Sequence, residues 1–302
     1  MNDTDMLPEI REALDLGRPV VALESTVITH GLPPPHNLET ALAMEAEVRA
    51  AGAIPATLAL LGGRVRYGCC ACDLETLAHA DAVRKCSPRD LPVVTAAGQH
   101  GSTTVAATMV LAHRTGIRVF ATGGIGGVHR DTRWDVSADL EALREIPMTV
   151  VCAGAKAILD LAATLEVLET HGVTVIGYQT DTFPAFYSRS SGYPVDHRVE
   201  TAEDVAALIR QRDALGLRQA ILVTVPVPAD AELDARLADK AIDTALGEAR
   251  AQGIRGKDVT PFLLAAVSRA TGDQSRVANI ALLRNNARVA ADIACALAQG
   301  TR

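Results

Sequence analysis

MTVVCAGAKAILDLAATLEVLETHGVTVIGY, residues 148–178, decides how this chain folds. It opens with a short Val-rich run (148–154), turns at a glycine, and continues as AKAILDLAATLEVLE with apolar residues at helical spacing. A second glycine stops that helix, and VTVIGY (173–178) is another apolar run. Neither run alternates strictly between apolar and polar residues, as expected of strands buried on both faces of a parallel sheet.

The same rhythm extends outward in both directions. Strands are predicted at 19–25, 54–63, 91–96, 118–123 and 219–227, with helices over NLETALAMEAEVRAAG and TTVAATMVLAHRTG. From DAELDARLADK onward the last third is mainly helical. The pattern predicts a three-layer α/β/α sandwich with a largely parallel central sheet and a helical C-terminal third. No Ser/Gly/Pro-rich linker interrupts the chain, so residues 1–302 read as one domain.

Composition excludes several functions. A net charge of −7 and 3% aromatic residues argue against nucleic acid or an anionic membrane as the main partner. No apolar run approaches the roughly 18 residues of a membrane span, and the acidic start MNDTDMLPEI has no signal-peptide core. Six cysteines without disulfide spacing point to reduced thiols in a cytoplasmic protein. The CCAC cluster at 69–72 lacks the second ligand pair that a closed zinc site needs.

Lysine is scarce: Lys85, Lys156, Lys240 and Lys257 stand against 25 arginines. Arginine serves most needs for positive charge but stays protonated, so it cannot form an imine. Lys156 follows the glycine turn of the opening segment, at the predicted start of a helix. Apolar neighbours and the positive end of a helix both favour an uncharged amine, which makes Lys156 a candidate covalent nucleophile. The alternative is a lysine reaching from a strand end to solvent.

Other segments carry chemistry-bearing residues. ATGGIGGVHR (121–130) follows a strand, and its glycine amides, with Thr122 and His129, suit a phosphate better than a dinucleotide. A G-x-G-x-x-G reading from Gly124 meets His129 where the third glycine belongs. In DTRWDVSADLEAL, Ser137 reads as a helix N-cap and Asp135 as a ligand for a hard metal, directly or through water. Glu24 falls at a strand's carboxyl end, where open α/β sheets bind ligands, and suits either a general acid/base or a salt-bridged strand-end acid. His30 and His36 flank a Pro run without a third metal ligand. Residues 181–196 concentrate two Phe and two Tyr as a wall over a ligand or an ordinary packed loop. In NIALLRNNAR, Asn279, Asn285 and Asn286 offer paired donors and acceptors for a heterocycle edge, or helix caps. Lys85 offers a second cation for an anionic ligand.

In order, VALESTVITHGLPPPHNLETA, ATGGIGGVHR, WDVSADL, VCAGAKAILD, GYQTDTFPAFYSRSSGYPVDHRV, GKDVTPFLL and ANIALLRNNARVAA resemble the pseudouridine-5′-phosphate glycosidase family, which includes the indigoidine-biosynthesis A-type proteins. The resemblance runs from about residue 8 to about residue 295 without a large insertion. It implies that Glu24 is the proton donor, Lys156 the nucleophile, and Asp135 the carboxylate associated with Mn2+, or Mg2+ in its place. It implies substrate contacts from Lys85, Val105, Thr122, His129, Ser137, Ala138, Asp139 and Asn279. It further implies a three-layer α/β fold, a homotrimer and a cytoplasmic location.

The implied reaction interconverts pseudouridine 5′-phosphate plus water with uracil and ribose 5-phosphate. Its glycosidic bond is C–C, so the two-carboxylate route through an oxygen leaving group is closed. A lysine imine at C1′ gives another way through, which fits a lysine in an arginine-dominated chain. Two other classes are weighed: an aldolase-like Schiff-base lyase on a sugar phosphate, and a non-enzymatic sugar-phosphate regulator.

Overall fold

The structure is a computed structural model that describes residues 5–130, 134–254, 256 and 259–300. Strands and helices are numbered in chain order. Among the described residues one large sheet is built from β1 (Val20–Leu23), β2 (Ile54–Leu61), β3 (Arg64–Tyr67), β4 (Val83–Cys86), β5 (His100–Thr103), β6 (Val119–Ala121), β8 (Thr149–Cys152), β10 (Thr174–Tyr178), β11 (His197–Val199) and β12 (Ile221–Thr224). Its order is β11-β10-β12-β8-β6-β1-β2-β5-β4, with β3 paired to β2 off that path. A separate two-residue ribbon joins β7 (Val128–His129) to β9 (Leu159–Asp160).

From β11 to β2 every neighbour along the path is parallel. The strands β1, β8 and β12 are buried along their whole length, as their unalternating apolar runs predict. The pattern then reverses inside β2. Its first half pairs parallel with β1 through Leu23↔Thr57, while its second half pairs antiparallel with β5 at Ala59↔Ser102. The strand β4 lies parallel to β5 on the outer edge. In consequence the carboxyl ends of β1 and β5 meet beside the middle of β2. Side chains fasten them there: Thr103 N donates to Ser25 Oγ at 2.9 Å, and Thr26 Oγ1 donates to Thr103 O at 2.8 Å.

Helices cover the sheet. On one face α2 (His36–Ala50), α8 (Ala202–Ala214) and α11 (Gln274–Gln299) pack together, with α11 lying on β1, β6 and β8. Its buried residues include Ala278, Ala287, Ala290 and Ala294, whose small side chains allow close packing. On the other face α5 (Val105–His113) packs on α6 (Ala138–Glu145), and α7 (Leu161–Thr170) reaches β10. The helices α9 (Ala235–Ala251) and α10 (Val259–Ala270) pair with each other beside the carboxyl ends of the strands. The remaining helices are α1 (Pro8–Asp15), α3 (Ala71–His79) and α4 (Leu91–Ala96).

Two expectations are corrected. Residues 91–96, expected as a strand from their Val and Thr content, form α4. The cause lies upstream: Ser87 and Asp90 close a capping box around a short 3₁₀ turn with Pro88 at its start, and that turn feeds directly into α4. That side of the sheet is completed instead by the polar β5, with β4 outside it as the edge strand. The second correction concerns Lys156. The helix after it begins only at Leu161, where Asp160 Oδ1 caps the Ala163 amide at 3.0 Å. Residues 153–158 are an irregular connection, so Lys156 does not stand at the N-terminus of the helix that follows it.

Among the described residues no helix is long and apolar enough to cross a membrane. All six cysteines are free, and Cys70 caps α3 reciprocally with Asp73.

Candidate active site

Where the two halves of the sheet meet, a cavity of about 550 Å³ opens. Its lining includes Glu24, Lys85, Val105, His129, Asp135, Ser137, Ala138, Asp139, Lys156 and Asn279. Residues scattered over more than 250 positions thus converge on one space. Thr122 alone of the predicted set does not line it. Its side chain is wholly buried, and its hydroxyl donates to Glu24 Oε1. Lys257, one of the four lysines, lies outside the described residues.

Glu24 follows β1 directly, so it stands at a carboxyl end, as the strand reading predicts. Burial raises its carboxyl pKa above the ordinary carboxylate value. Lys156, the Thr122 hydroxyl and Lys85 oppose that rise, and Asp139 reinforces it. The net direction favours a protonated carboxyl, the form that a proton donor needs.

Lys156 is held by the loop after β6. Its Nζ donates to Gly124 O at 2.8 Å, and its backbone N donates to Ile125 O at 3.1 Å. The loop needs its glycines for close approach: a Cβ on Gly124 would stand 2.7 Å from the Phe186 ring, and one on Gly126 2.8 Å from Asp139 Oδ2. The carboxylate of Asp139 is spent on backbone, accepting from Ala106 N at 2.9 Å and Gly126 N at 2.8 Å. It therefore ties the glycine loop to the start of α5. Ser137 caps α6 as expected, with its Oγ accepting from Asp139 N at 3.2 Å.

His129 lies on β7, and its amide donates to Asp135 O at 3.0 Å. Burial lowers the imidazole pKa below its ordinary value, against the pull of Asp135 and with help from Lys156 and Lys85. His129 is thus neutral near pH 7 and serves as a hydrogen-bonding group. Asp135 offers a carboxylate to the same cavity. The His/Cys/Asp/Glu cluster of three found among the described residues is Cys70, Cys72 and Asp73, none of which lines the cavity. A single carboxylate with room for water fits a hard, hydrated Mn2+ or Mg2+, and does not fit a closed zinc site.

Several lining residues were not singled out from sequence. Arg89 follows Lys85 by four residues and faces the cavity from the capping-box turn. Thr104 caps α5, a role legible as a Thr before an apolar helical run. From the aromatic segment Phe186 reaches the cavity, whereas Phe183 and Tyr187 are packed inside. Asn285 accepts from Arg288 and does not line the cavity, and Asn286 is buried beneath it.

Beyond the carboxyl ends of β8 and β1, with β6 between them, Lys156 and the buried Glu24 carboxyl share one cavity with Lys85 of the reversed edge, a set of groups suited to a sugar phosphate. The chain matches the family described as Indigoidine synthase A like protein over residues 9–296, and it belongs to that family. It is 58% identical to the pseudouridine-5′-phosphate glycosidase of Methylobacterium nodulans, over 97% of this chain and 88% of that one. It is 52% identical to the enzyme of that name from Caldanaerobacter subterraneus subsp. tengcongensis, over 97% and 96% of the two chains. Among solved structures it is similar to the prealnumycin C-glycosynthase AlnA in complex with ribulose 5-phosphate. That match has a TM-score of 0.90 at 40% identity and covers 98% of each chain. An indigoidine synthase A-like protein from Thermotoga maritima matches with a TM-score of 0.88 at 36% identity, over 93% and 94%.

Proposed function

We propose that the chain is a pseudouridine-5′-phosphate glycosidase, which splits the C1′–C5 bond of pseudouridine 5′-phosphate with water to give uracil and ribose 5-phosphate, reversibly. The observation that carries this reading is the placement of Lys156 Nζ and the Glu24 carboxyl on one cavity, with Lys85 across from them. The names of the relatives support it.

The side chains allow a balanced sequence. Lys156 Nζ attacks C1′, the C1′–O4′ bond breaks, and Glu24 gives its proton to O4′. The new C1′–N group carries a surplus proton, which returns to the Glu24 carboxylate. The nitrogen lone pair then forms the C1′=N iminium, and the electrons of the C1′–C5 bond pass to the pyrimidine. Glu24 protonates C5, and uracil leaves. Water adds to the iminium and releases ribose 5-phosphate and the free amine, and the proton set free by this hydrolysis returns to the Glu24 carboxylate. The phosphate is recognised by Lys85 and His129, because the Ile125, Gly126 and Val128 amides expected to cradle it already donate to Gly154 O, Asp139 Oδ2 and Thr164 Oγ1; Val105, Ala138 and Asn279 shape the rest of the cavity. Asp135 would hold a divalent ion through its waters, and such an ion supplies positive charge near the substrate's oxygens.

A homotrimer in the cytoplasm belongs to the same reading, and light scattering on the purified protein tests the assembly. The reaction is tested by following uracil release from pseudouridine 5′-phosphate by ultraviolet absorbance, with and without chelator. A protein that binds ribose 5-phosphate yet releases no uracil under any metal condition sinks the proposal.

A further inference from the structure

We propose that Asn286 is a positioning residue for the reaction: from the buried side of α11 it holds the carbonyls at the exit of β6, and so sets Thr122 against Glu24 and Gly124 against Lys156. The inference rests on the catalytic reading of Glu24 and Lys156 given above.

Asn286 has no exposure to solvent, and its Nδ2 donates to Thr122 O at 2.8 Å and more weakly to Gly123 O at 3.5 Å. The next carbonyls along the loop are held from the β8 side. Ala153 N donates to Gly123 O at 2.9 Å, Lys156 Nζ to Gly124 O at 2.8 Å, and Lys156 N to Ile125 O at 3.1 Å. Four successive carbonyls are therefore clamped between α11 and the segment that carries the nucleophile. Thr122 is the pivot of this clamp, because its carbonyl takes Asn286 while its hydroxyl holds Glu24.

Packing alone does not account for an asparagine here. Its helix neighbours Leu282, Leu283, Ala287 and Ala290 are apolar and buried, and its own Oδ1 has no hydrogen-bond partner among the described residues. A buried polar atom left unpaired destabilises the fold, so a leucine would serve the core better. The amide is explained by what its N–H group holds.

The test uses the intact enzyme with pseudouridine 5′-phosphate, and compares Asn286→Ala, Asn286→Leu, Thr122→Val and the Asn286→Ala/Thr122→Val pair. The leucine variant keeps the packing volume, so it serves where the alanine variant does not fold. Each Asn286 variant is expected to lose about tenfold in kcat with KM within about twofold, the size of one hydrogen bond used in positioning. Borohydride trapping on Lys156 should slow in parallel. The double variant should be worse than either single by less than the product of their losses, because both break one chain of contacts.

The basic limb of the pH profile should also move upward in Asn286→Ala, as in Thr122→Val. Lys156, Lys85 and Asp139 also face Glu24 and are retained in Thr122→Val, so a shift of matching size in Asn286→Ala reports the lost Thr122 hydrogen bond. A folded Asn286 variant with wild-type kcat and pH profile overturns the inference, and so do losses that multiply in the double variant. Glu24→Gln and Lys156→Arg are the controls. If those two stay active the catalytic reading itself fails, which is a different result from silent Asn286 variants.

Discussion

The two parts of the sheet bring different chemistry to the same cavity. The parallel part ends in the wholly buried Thr122 and the half-buried Glu24 and Lys156, held by one another and by backbone. The reversed edge, β5 and β4, brings Lys85 on β4 and the start of α5 at Val105, and Arg89 in the following turn is exposed. Depth suits groups whose protonation must be controlled, because burial moves a carboxyl pKa by far more than any surface contact does. The rim suits a doubly charged phosphate, which needs cations without a large desolvation cost. On this division, substitutions from the parallel part should act on kcat, and those from the reversed edge on KM.

Lys156→Arg makes the strongest break. It keeps the charge and removes the nucleophile, so turnover should vanish. The wild type incubated with ribose 5-phosphate and borohydride should carry one sugar-phosphate adduct, placed on Lys156 by peptide mass mapping. An adduct on Lys85 instead would move the covalent chemistry to the other half of the sheet and end the comparison.

Glu24→Gln comes next, with kcat expected to fall about 10²-fold while substrate binding persists. The pH dependence follows from the raised carboxyl pKa. The donor must hold its proton, so wild-type activity should persist above the ordinary carboxylate range and decline as pH rises through the Glu24 value. A variant changed only in KM would make Glu24 a binding group.

Asp135 belongs to neither part of the sheet, lying in the segment between β7 and α6, and is read most directly by spectroscopy. Trp134, the chain's only tryptophan, is 93% exposed beside it. Paramagnetic Mn2+ at Asp135 should quench that fluorescence saturably, and Asp135→Asn should weaken the quenching and the activity by about 10- to 100-fold. Quenching of equal affinity in the variant would place the ion elsewhere.

The same division marks how far the sequence could be read. The parallel strands announce themselves as Val-rich runs, and their carboxyl ends locate Glu24 and Lys156. The reversed strands do not: VRKC is half-exposed at the edge, and HGST is buried but polar, with Ser102 and Thr103 satisfied by tertiary hydrogen bonds that no local pattern shows. At 91–96 the local capping box outweighs β-branched residues, and at 155–160 the Asp160 cap overrides an apolar run that looks helical. The gathering of ten of the predicted residues on one cavity was legible through family resemblance. The inward use of Asp139, Thr122 and Asn286 was not, because each acts through a tertiary hydrogen bond to a distant backbone.

The smallest expected effect sharpens the comparison most, because it must be confined to one parameter. Lys85→Met keeps a long side chain on β4 and deletes the cation. A charge-assisted contact at a partly exposed site supports about a tenfold rise in KM, with kcat within about twofold. The loss should be specific to the phosphate, so the gap in kcat/KM between pseudouridine 5′-phosphate and free pseudouridine should narrow by the same factor. Raising the salt concentration should erode the wild-type preference and leave the variant almost unmoved, since screening acts on the charge that the variant lacks. A Lys85→Met enzyme with unchanged KM and reduced kcat would show that the reversed edge works on the reacting bond, and the division between the two halves would fall.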